Sequence, residues 1–493
     1  MKKSLSVQSA WYFSGRLIAL VFSIFIPIIL VRVFSKEEYG AYAQILLIYA
    51  FFLRILQFGF KQSILYFIPK YPELKKQIIS NTTIFFLILG IINILFFYFF
   101  KDNIGNLFSS GKISNLLPLC GIYILFMLLS SPFESILIAE SEASKASFIV
   151  VITALLRCLF IIPFVLFFRT IDSAVFALLG YSSVRLMLFI IYNKNNIHIS
   201  SNSFSIFKKQ FQYAMPLGGA SIVGVSMKRI DRLIISMFFL PEIYAIYNVG
   251  KFKVPLIDML INSVGEVSLP KVVELLKSNN ITQFLVLWNK IILSISFFAI
   301  GIFFLFQIIS YDFIILLFTS KYLDSIIVFR IVLFIMLIQM LYYGIILRAL
   351  GKTKSIFISN FISLFFSIPT TYFGIKYFGL KGAAISSVIV FSINAFIQII
   401  YSSFYLNRKI SQFLPIAKLL QLSFIALIIS IILLNSQNFI EIKVLRVICS
   451  GIIFTFAYAL VSYKLGIFNI FEIKVVKDNL EIIKNRIKRN GEK

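Results

Sequence analysis

Arginine and lysine recur inside the longest apolar stretches of this chain, where hydrocarbon offers a charge no solvation. Arg16, Arg54, Arg157, Arg185, Lys228, Arg229, Arg232, Lys251, Lys253 and Arg330 all fall there. A cation near the centre of a bilayer costs about 2.5–3.5 kcal/mol on insertion scales, so such residues are expected to face protein or water rather than lipid. Arg330, near the end of its stretch, has the alternative of snorkelling to the interface. For Arg157, in mid-stretch, that escape is hard. The segment KRIDR sets Lys228, Asp231 and Arg232 at i, i+3 and i+4, one face of a helix, with Arg229 three residues from Arg232. One acid among three bases leaves positive charge over even when Asp231 is fully paired. In the following stretch Lys251 and Asp258 stand seven residues apart on one face, and Pro255 between them loosens the helix. A passage lined in this way favours an anionic cargo. Export of cationic drugs, or carriage driven by protons, needs buried carboxylates free of basic partners. Asp231 has basic neighbours, and Asp258 and Glu134 are the main candidates left.

Neutral polar residues keep similar lines: Tyr12, Arg16, Ser23 and Pro27 along the first stretch, Ser387, Asn394 and Gln398 along a late one. Taken singly, serine, asparagine and glutamine in such helices more often hold neighbouring helices together than line a passage. Other chemistries lack their residues. The one histidine, His198, lies in a loop, which removes zinc motifs, a histidine-based triad and a histidine proton relay. Cys120, Cys158 and Cys449 lie in apolar stretches without paired spacing and read as small buried hydrophobes. No cofactor is expected, and coupling to an ion gradient or to the membrane potential stays open. The 57 phenylalanines reflect compositional bias and lipid contact and mark no platform for stacking sugars.

The elements that hold these charges are ones only a bilayer accommodates. Of 493 residues 60% are hydrophobic, against roughly 45–50% apolar in soluble domains. The net charge of +27 invites comparison with nucleic-acid binders, but the basic residues sit mainly between apolar stretches, as the positive-inside rule requires, so no nucleic acid is expected as a partner. A spanning helix needs about 20 apolar residues. Fourteen stretches qualify: 9–33, 39–60, 78–100, 115–139, 145–168, 172–192, 211–239, 243–268, 284–309, 325–350, 355–378, 380–406, 413–434 and 444–464. The expected fold is therefore an all-α polytopic membrane protein. Residues 1–197 form an N-terminal lobe of six helices, 198–412 a C-terminal lobe of six, and 413–493 two further helices with a basic tail. Sliding the chain by 205 positions lays Phe34, Glu37, Tyr39 and Tyr42 on Phe239, Glu242, Tyr244 and Tyr247. At an offset of 206, Ile162-Pro163 falls near Ile368-Pro369. The lobes thus read as a parallel repeat, pseudo-symmetric about the membrane normal, with a transport site between them. The first stretch follows Lys2 and Lys3 and exceeds a signal-peptide core of about 7–15 residues, so it reads as a retained helix. Loops rich in Lys and Arg, such as those with Lys75, Lys76, Lys208, Lys209 and Lys352, alternate with poorer ones. This alternation sets both termini on the cytoplasmic side, with the tail from Lys474 to Lys493 against anionic headgroups.

Three segments carry a resemblance to a known family. VRVFSKEEYGAYAQ at 31–44 looks like the turn between its first two helices. YAMPLGGASIVGVSMKRIDRLIISMFFLPEIYAIYNVGKF at 213–252 is similar to its helix-seven region, with an early Pro216, the pair Asp231-Arg232, and Tyr244, Tyr247 and Gly250 at three-residue spacing. The third is Gly351, Lys352 and Thr353, followed by Gly382-Ala383-Ala384. The chain so resembles the polysaccharide flippases, the O-antigen flippase (Wzx) family of the multidrug/oligosaccharidyl-lipid/polysaccharide exporter superfamily. That resemblance implies a transporter rather than an enzyme, in a bacterial inner membrane, working by alternating access. It implies an undecaprenyl-pyrophosphate-linked oligosaccharide as cargo, an O-antigen or related lipopolysaccharide unit flipped from the cytoplasmic to the periplasmic leaflet, with membrane lipids and polysaccharide polymerase machinery as partners. It also implies a cationic cavity for the pyrophosphate, a role that carries by position to Arg16, Arg54, Arg157, Lys228 and Arg232. An inside-negative potential favours outward movement of an anion by about 2.3 kcal/mol per charge per 100 mV.

Rival expectations remain. A lipid II flippase of the same superfamily has the same helix count and also uses basic residues. A multidrug exporter is disfavoured by the basic passage. A membrane glycosyltransferase or polysaccharide polymerase needs a large periplasmic loop carrying acids or bases, and the longest outside gaps, near 101–114 and 310–324, are short.

Overall fold

A computed structural model describes residues 5–108, 111–196, 203–254, 259, 261, 268–269, 271–341, 343–436 and 440–467. Every regular element among them is helical. In chain order these are α1 (Leu5–Val33), α2 (Lys36–Gln57), α3 (Phe60–Lys70), α4 (Lys75–Phe99), α5 (Lys101–Leu107), α6 (Gly111–Ser130), α7 (Phe133–Ala139), α8 (Ala143–Phe168), α9 (Ile171–Asn193), α10 (Ser203–Phe238) and α11 (Pro241–Gly250). There follow α12 (Ile281–Phe318), α13 (Ser325–Val332), α14 (Phe334–Gln339), α15 (Gly344–Ala349), α16 (Thr353–Leu406), α17 (Ile410–Phe413), α18 (Ile416–Ser436) and α19 (Lys443–Lys464).

Ten helices among the described residues are long and apolar enough to cross a membrane, and the protein is a multi-pass membrane protein. One of the ten, α16, holds two of the expected spans, which meet at Gly379 in a left-handed conformation (φ 57°, ψ −136°). The remaining three expected spans differ for identifiable reasons. The 211–239 span is α10, whose KRIDR charges make it too polar to pass as a lipid-facing helix. The 325–350 span is cut into α13, α14 and α15. The 243–268 span begins as α11, but Lys251 caps that helix and residues 252–254 leave it. Pro255 explains the exit, because a proline disfavours helix at the residue before it and cannot donate within one. Lys251 and Asp258 therefore do not share one continuous helix face as their spacing suggested, and Asp258 lies outside the described residues.

The chain divides into two compact units. The first comprises Met1–Phe252, Leu317–Val328 and Phe357–Val390; the second comprises Lys253–Leu316, Phe329–Ile356 and Phe391–Lys493. In the first unit α1 packs along α8, α4 along α6, and α2 against α6, α10 and α11. The close approach of α2 to α11 depends on Gly40, where a Cβ atom would collide with the Pro241 carbonyl. We expect Gly40→Ala to lower stability by about 1–3 kcal/mol or more, read as a lower thermal midpoint in detergent; an unchanged midpoint would contradict the close packing. In the second unit Arg446 of α19 pairs with Asp312 of α12 at 3.2 Å and donates to the Ile440 carbonyl, and Arg330 donates to Ser310 at 2.6 Å. Both arginines brace helices there. The pattern of the whole is that of a protein dissolved in lipid: Phe167, Phe365 and Phe404 stand outward, while Asp231, Lys251 and Arg185 are buried.

Candidate functional site

Two cavities lie in the first unit, both walled by α1, α2 and α8. The lower one, toward the N-terminal end of α1, has a volume of about 520 Å³ and is lined by Arg16, Arg54, Lys61, Glu134 and Arg185. Helix breaks deliver these side chains. Phe58 (φ 38°) and Gly59 (φ 77°) are both left-handed, which ends α2 and starts α3 in a new direction, so Lys61 joins Arg54 in the lining. Glycine suits that turn, and a side chain at Gly59 would also strike the Ala214 carbonyl. Ser131 and Pro132 separate α6 from α7 and put Glu134 in the first turn of α7, where the helix dipole favours a carboxylate. Arg185 of α9 reaches across, donating to Glu134 Oε1 at 2.6 Å and to Ser130 Oγ at 3.2 Å. Four cations against one paired acid leave the cavity positive.

The upper cavity, of about 350 Å³, is lined by Arg157, Arg229 and Arg232 together with Ser23, Tyr39, Tyr42, Tyr49, Tyr244 and Asn248, and by no acid. Arg157 of α8 sits among the phenols of Tyr42, Tyr49, Tyr123 and Tyr181. Its Nε and the Tyr42 hydroxyl are buried, and the two side chains face each other in the wall.

Charge in the upper cavity survives because the nearest acid is engaged elsewhere. Asp231 is buried and paired with Lys251; it accepts hydrogen bonds from Tyr247 at 2.6 Å and Ser387 at 2.9 Å. Arg232, its neighbour in sequence, donates instead to the Lys251 carbonyl at 3.3 Å. Among the described residues Arg54, Arg157, Arg229 and Arg232 form no salt bridge.

The residues singled out in the sequence thus part into three groups. Arg16, Arg54 and Arg185 line the lower cavity, Arg157, Arg229 and Arg232 the upper. Asp231 and Lys251 form a buried brace joined by Ser387, which therefore ties helices together instead of lining a passage. Lys228 is exposed and lines neither cavity. Ser23 and Pro27 line the upper cavity, whereas Asn394 and Gln398 are buried and bonded to each other at 2.9 Å. Lys61, Tyr42, Tyr49 and Tyr244 had no signal of their own, Lys61 reading as a loop lysine and the tyrosines as part of an aromatic-rich background. Among the described residues no group of three or more His, Cys, Asp or Glu comes together to hold a metal.

Residues 29–327 match the family described as "Polysaccharide biosynthesis protein". No curated protein sequence matches the chain. Among solved structures, a lipid II flippase MurJ in an inward closed conformation superposes with a TM-score of 0.72 at 19% identity, covering 93% of this chain and 99% of that one. A multidrug resistance MATE family transporter of the MOP superfamily, inward-facing, gives 0.60 at 15% identity over 79% of this chain and 94% of its own. An outward-facing structure of such a transporter gives 0.55 at 15% identity, covering 82% of this chain and 95% of that one. The fold is shared with these transporters.

Proposed function

The chain belongs to the polysaccharide biosynthesis protein family, and from that premise we propose that it flips a polyprenyl-pyrophosphate-linked glycan from the cytoplasmic to the periplasmic leaflet of a bacterial inner membrane. The observation that carries the reading is the lower cavity, where Arg16, Arg54, Lys61 and Arg185 converge with a single carboxylate among them. Guanidinium and ammonium groups bind phosphate oxygens through charge-assisted hydrogen bonds roughly twice as strong as neutral ones. In this reading the pyrophosphate enters from the N-terminal side of α1, placed toward the cytoplasm by the positive-inside rule. The glycan extends into the protein, the lipid chain stays in the bilayer, and alternating exposure of the cavities releases the cargo outside. The membrane potential acts in the same direction on an anion, so no cofactor is needed, and an O-antigen or related surface glycan is the cargo we favour.

Lipid II is the second cargo to consider, because it carries the same pyrophosphate, and MurJ, whose structure shares this fold, is a lipid II flippase. A cationic drug is disfavoured by the charge of both cavities. The test is transport itself. The purified chain in vesicles is expected to move a fluorescent polyprenyl-pyrophosphate glycan between leaflets at least about tenfold faster than protein-free vesicles, a difference of about 1.4 kcal/mol in barrier. Equal rates would remove the proposal. Complementation of a strain lacking its surface-glycan flippase, compared with one lacking its lipid II flippase, separates the two cargoes.

A further inference from the structure

Among the described residues Glu134 is the one acid that lines either cavity. A carboxylate set among cations weakens their hold on any anion that enters, so an acid in a phosphate site needs a reason to be there. Bracing Arg185 is a poor one. Arg185 Nε donates to Ser130 Oγ at 3.2 Å and Nη1 to the Tyr181 hydroxyl at 3.5 Å, so the guanidinium is fixed by neighbours while Nη2 meets Glu134 Oε1 at 2.6 Å. What Arg185 does need is an anion, because its side chain is only 11% exposed and a buried cation left unpaired is strongly destabilising. The carboxylate has a second berth close by. Ser131-Pro132-Phe133-Glu134 has the serine-x-x-glutamate spacing of a capping box, but α7 begins without a side-chain cap, and Ser131 Oγ is buried with no hydrogen-bond partner among the described residues. Ser131 lines the same cavity as Glu134.

We propose that Glu134 is a resident anion that exchanges with a cargo phosphate at Arg185, and so governs release of the cargo. This rests on the flippase reading above, which supplies the pyrophosphate. On loading, a phosphate oxygen takes the Nη2 donor of Arg185, and rotation of the Glu134 side chain brings its carboxylate to the Ser131 hydroxyl. On unloading the carboxylate returns, the phosphate leaves, and Arg185 is paired throughout. A passage has to bind its cargo well enough to admit it and weakly enough to let it go. A competitor built into the wall meets the second condition, and the surplus of positive charge around it meets the first.

The test uses the full chain, in lipid nanodiscs for binding and in vesicles for flipping, with a fluorescent polyprenyl-pyrophosphate disaccharide as the probe. Glu134→Gln keeps the shape of the side chain and an oxygen that accepts from Arg185, and removes the charge. It is expected to bind the probe about tenfold more tightly and to flip it about tenfold more slowly, because a neutral amide no longer competes with the phosphate. Glu134→Asp, which restores the charge, is expected to bring both quantities back toward the wild type. Ser131→Ala leaves the ion pair in place and removes the second berth, so it is expected to weaken binding about two- to tenfold, the equivalent of one hydrogen bond; it carries the test should Glu134→Gln fail to fold. A brace gives other results. Glu134→Gln binding the probe no better than the wild type overturns the proposal, and so does tighter binding at an unchanged flipping rate. Wild-type affinity in Ser131→Ala overturns the exchange. Each of these leaves the flippase reading standing, whereas failure of the wild type to bind the probe removes that reading and this proposal with it.

Discussion

Replacing Arg54 and Lys61 together with glutamine is expected to reduce surface display of the glycan by about 100-fold or more while leaving the fold intact. Each cation lost from a phosphate contact removes about 1.5–3 kcal/mol, so the pair removes about 3–6 kcal/mol, or two to four decades in affinity. The choice of these two residues is what separates binding from stability. Arg185 is more buried, but it holds Glu134 in an ion pair, and its removal would strand a carboxylate in the wall at a structural cost of its own. Arg54 and Lys61 form no salt bridge among the described residues, and Arg54 is exposed toward the cavity it lines. Glutamine is shorter than either side chain but stays polar and able to donate hydrogen bonds, so the main change is loss of the charge. Quantified surface glycan, with protein amount and melting temperature measured in the same cells and the same preparation, makes the comparison. A double variant that is present at wild-type level, melts normally and still displays its glycan in full would show that the lower cavity is not where the pyrophosphate binds.

Much of this arrangement was legible before any coordinates, and the parts that were not share a cause. Periodicity and charge placed Arg16, Arg54, Arg157, Arg185, Arg229 and Arg232 inside apolar helices, because a cation in a spanning stretch is rare enough to be informative by itself. The all-α polytopic fold followed from apolar length alone. What sequence distance could not give was partnership. Asp231 stands three residues from Lys228 and next to Arg232, yet its partner is Lys251, across a helix junction. Nothing in the KRIDR spacing distinguishes a carboxylate that neutralises its own helix from one turned to the next. Lys61 was hidden for a different reason. It follows the Phe58-Gly59 break, and a lysine two residues past a glycine reads as a loop until two consecutive left-handed residues show the helix changing direction there. The tyrosines around Arg157 were masked by composition, since a chain that is 17% aromatic makes any single tyrosine unremarkable.

The pairing of Asp231 with Lys251 carries the second large expectation. Both are buried, and the carboxylate's Oδ2 also accepts from Tyr247 and Ser387, so its charge is met within the protein. Removing one member of such a pair leaves a desolvated charge, at a cost of about 3–5 kcal/mol. Asp231→Asn should therefore melt well below the wild type, and so should Lys251→Met. The two single variants part company at the upper cavity. With Lys251 gone, the freed carboxylate turns to Arg232, the next residue on α10 and part of the cavity wall, and cancels charge that the cargo would otherwise meet. With Asp231 gone, that charge stays. Lys251→Met is thus expected to lose glycan binding beyond what its instability explains, whereas Asp231→Asn, stabilised by lower temperature, retains it. The double variant Asp231→Leu with Lys251→Met decides the matter, because apolar replacement of a whole buried pair is often neutral or stabilising by about 1–4 kcal/mol. Recovery of both the melting temperature and binding in the double variant is the expected result, and it would identify the pair as the device that keeps an acid away from the arginines. A double variant that regains stability while binding stays lost would instead place Lys251 itself among the groups that contact the cargo.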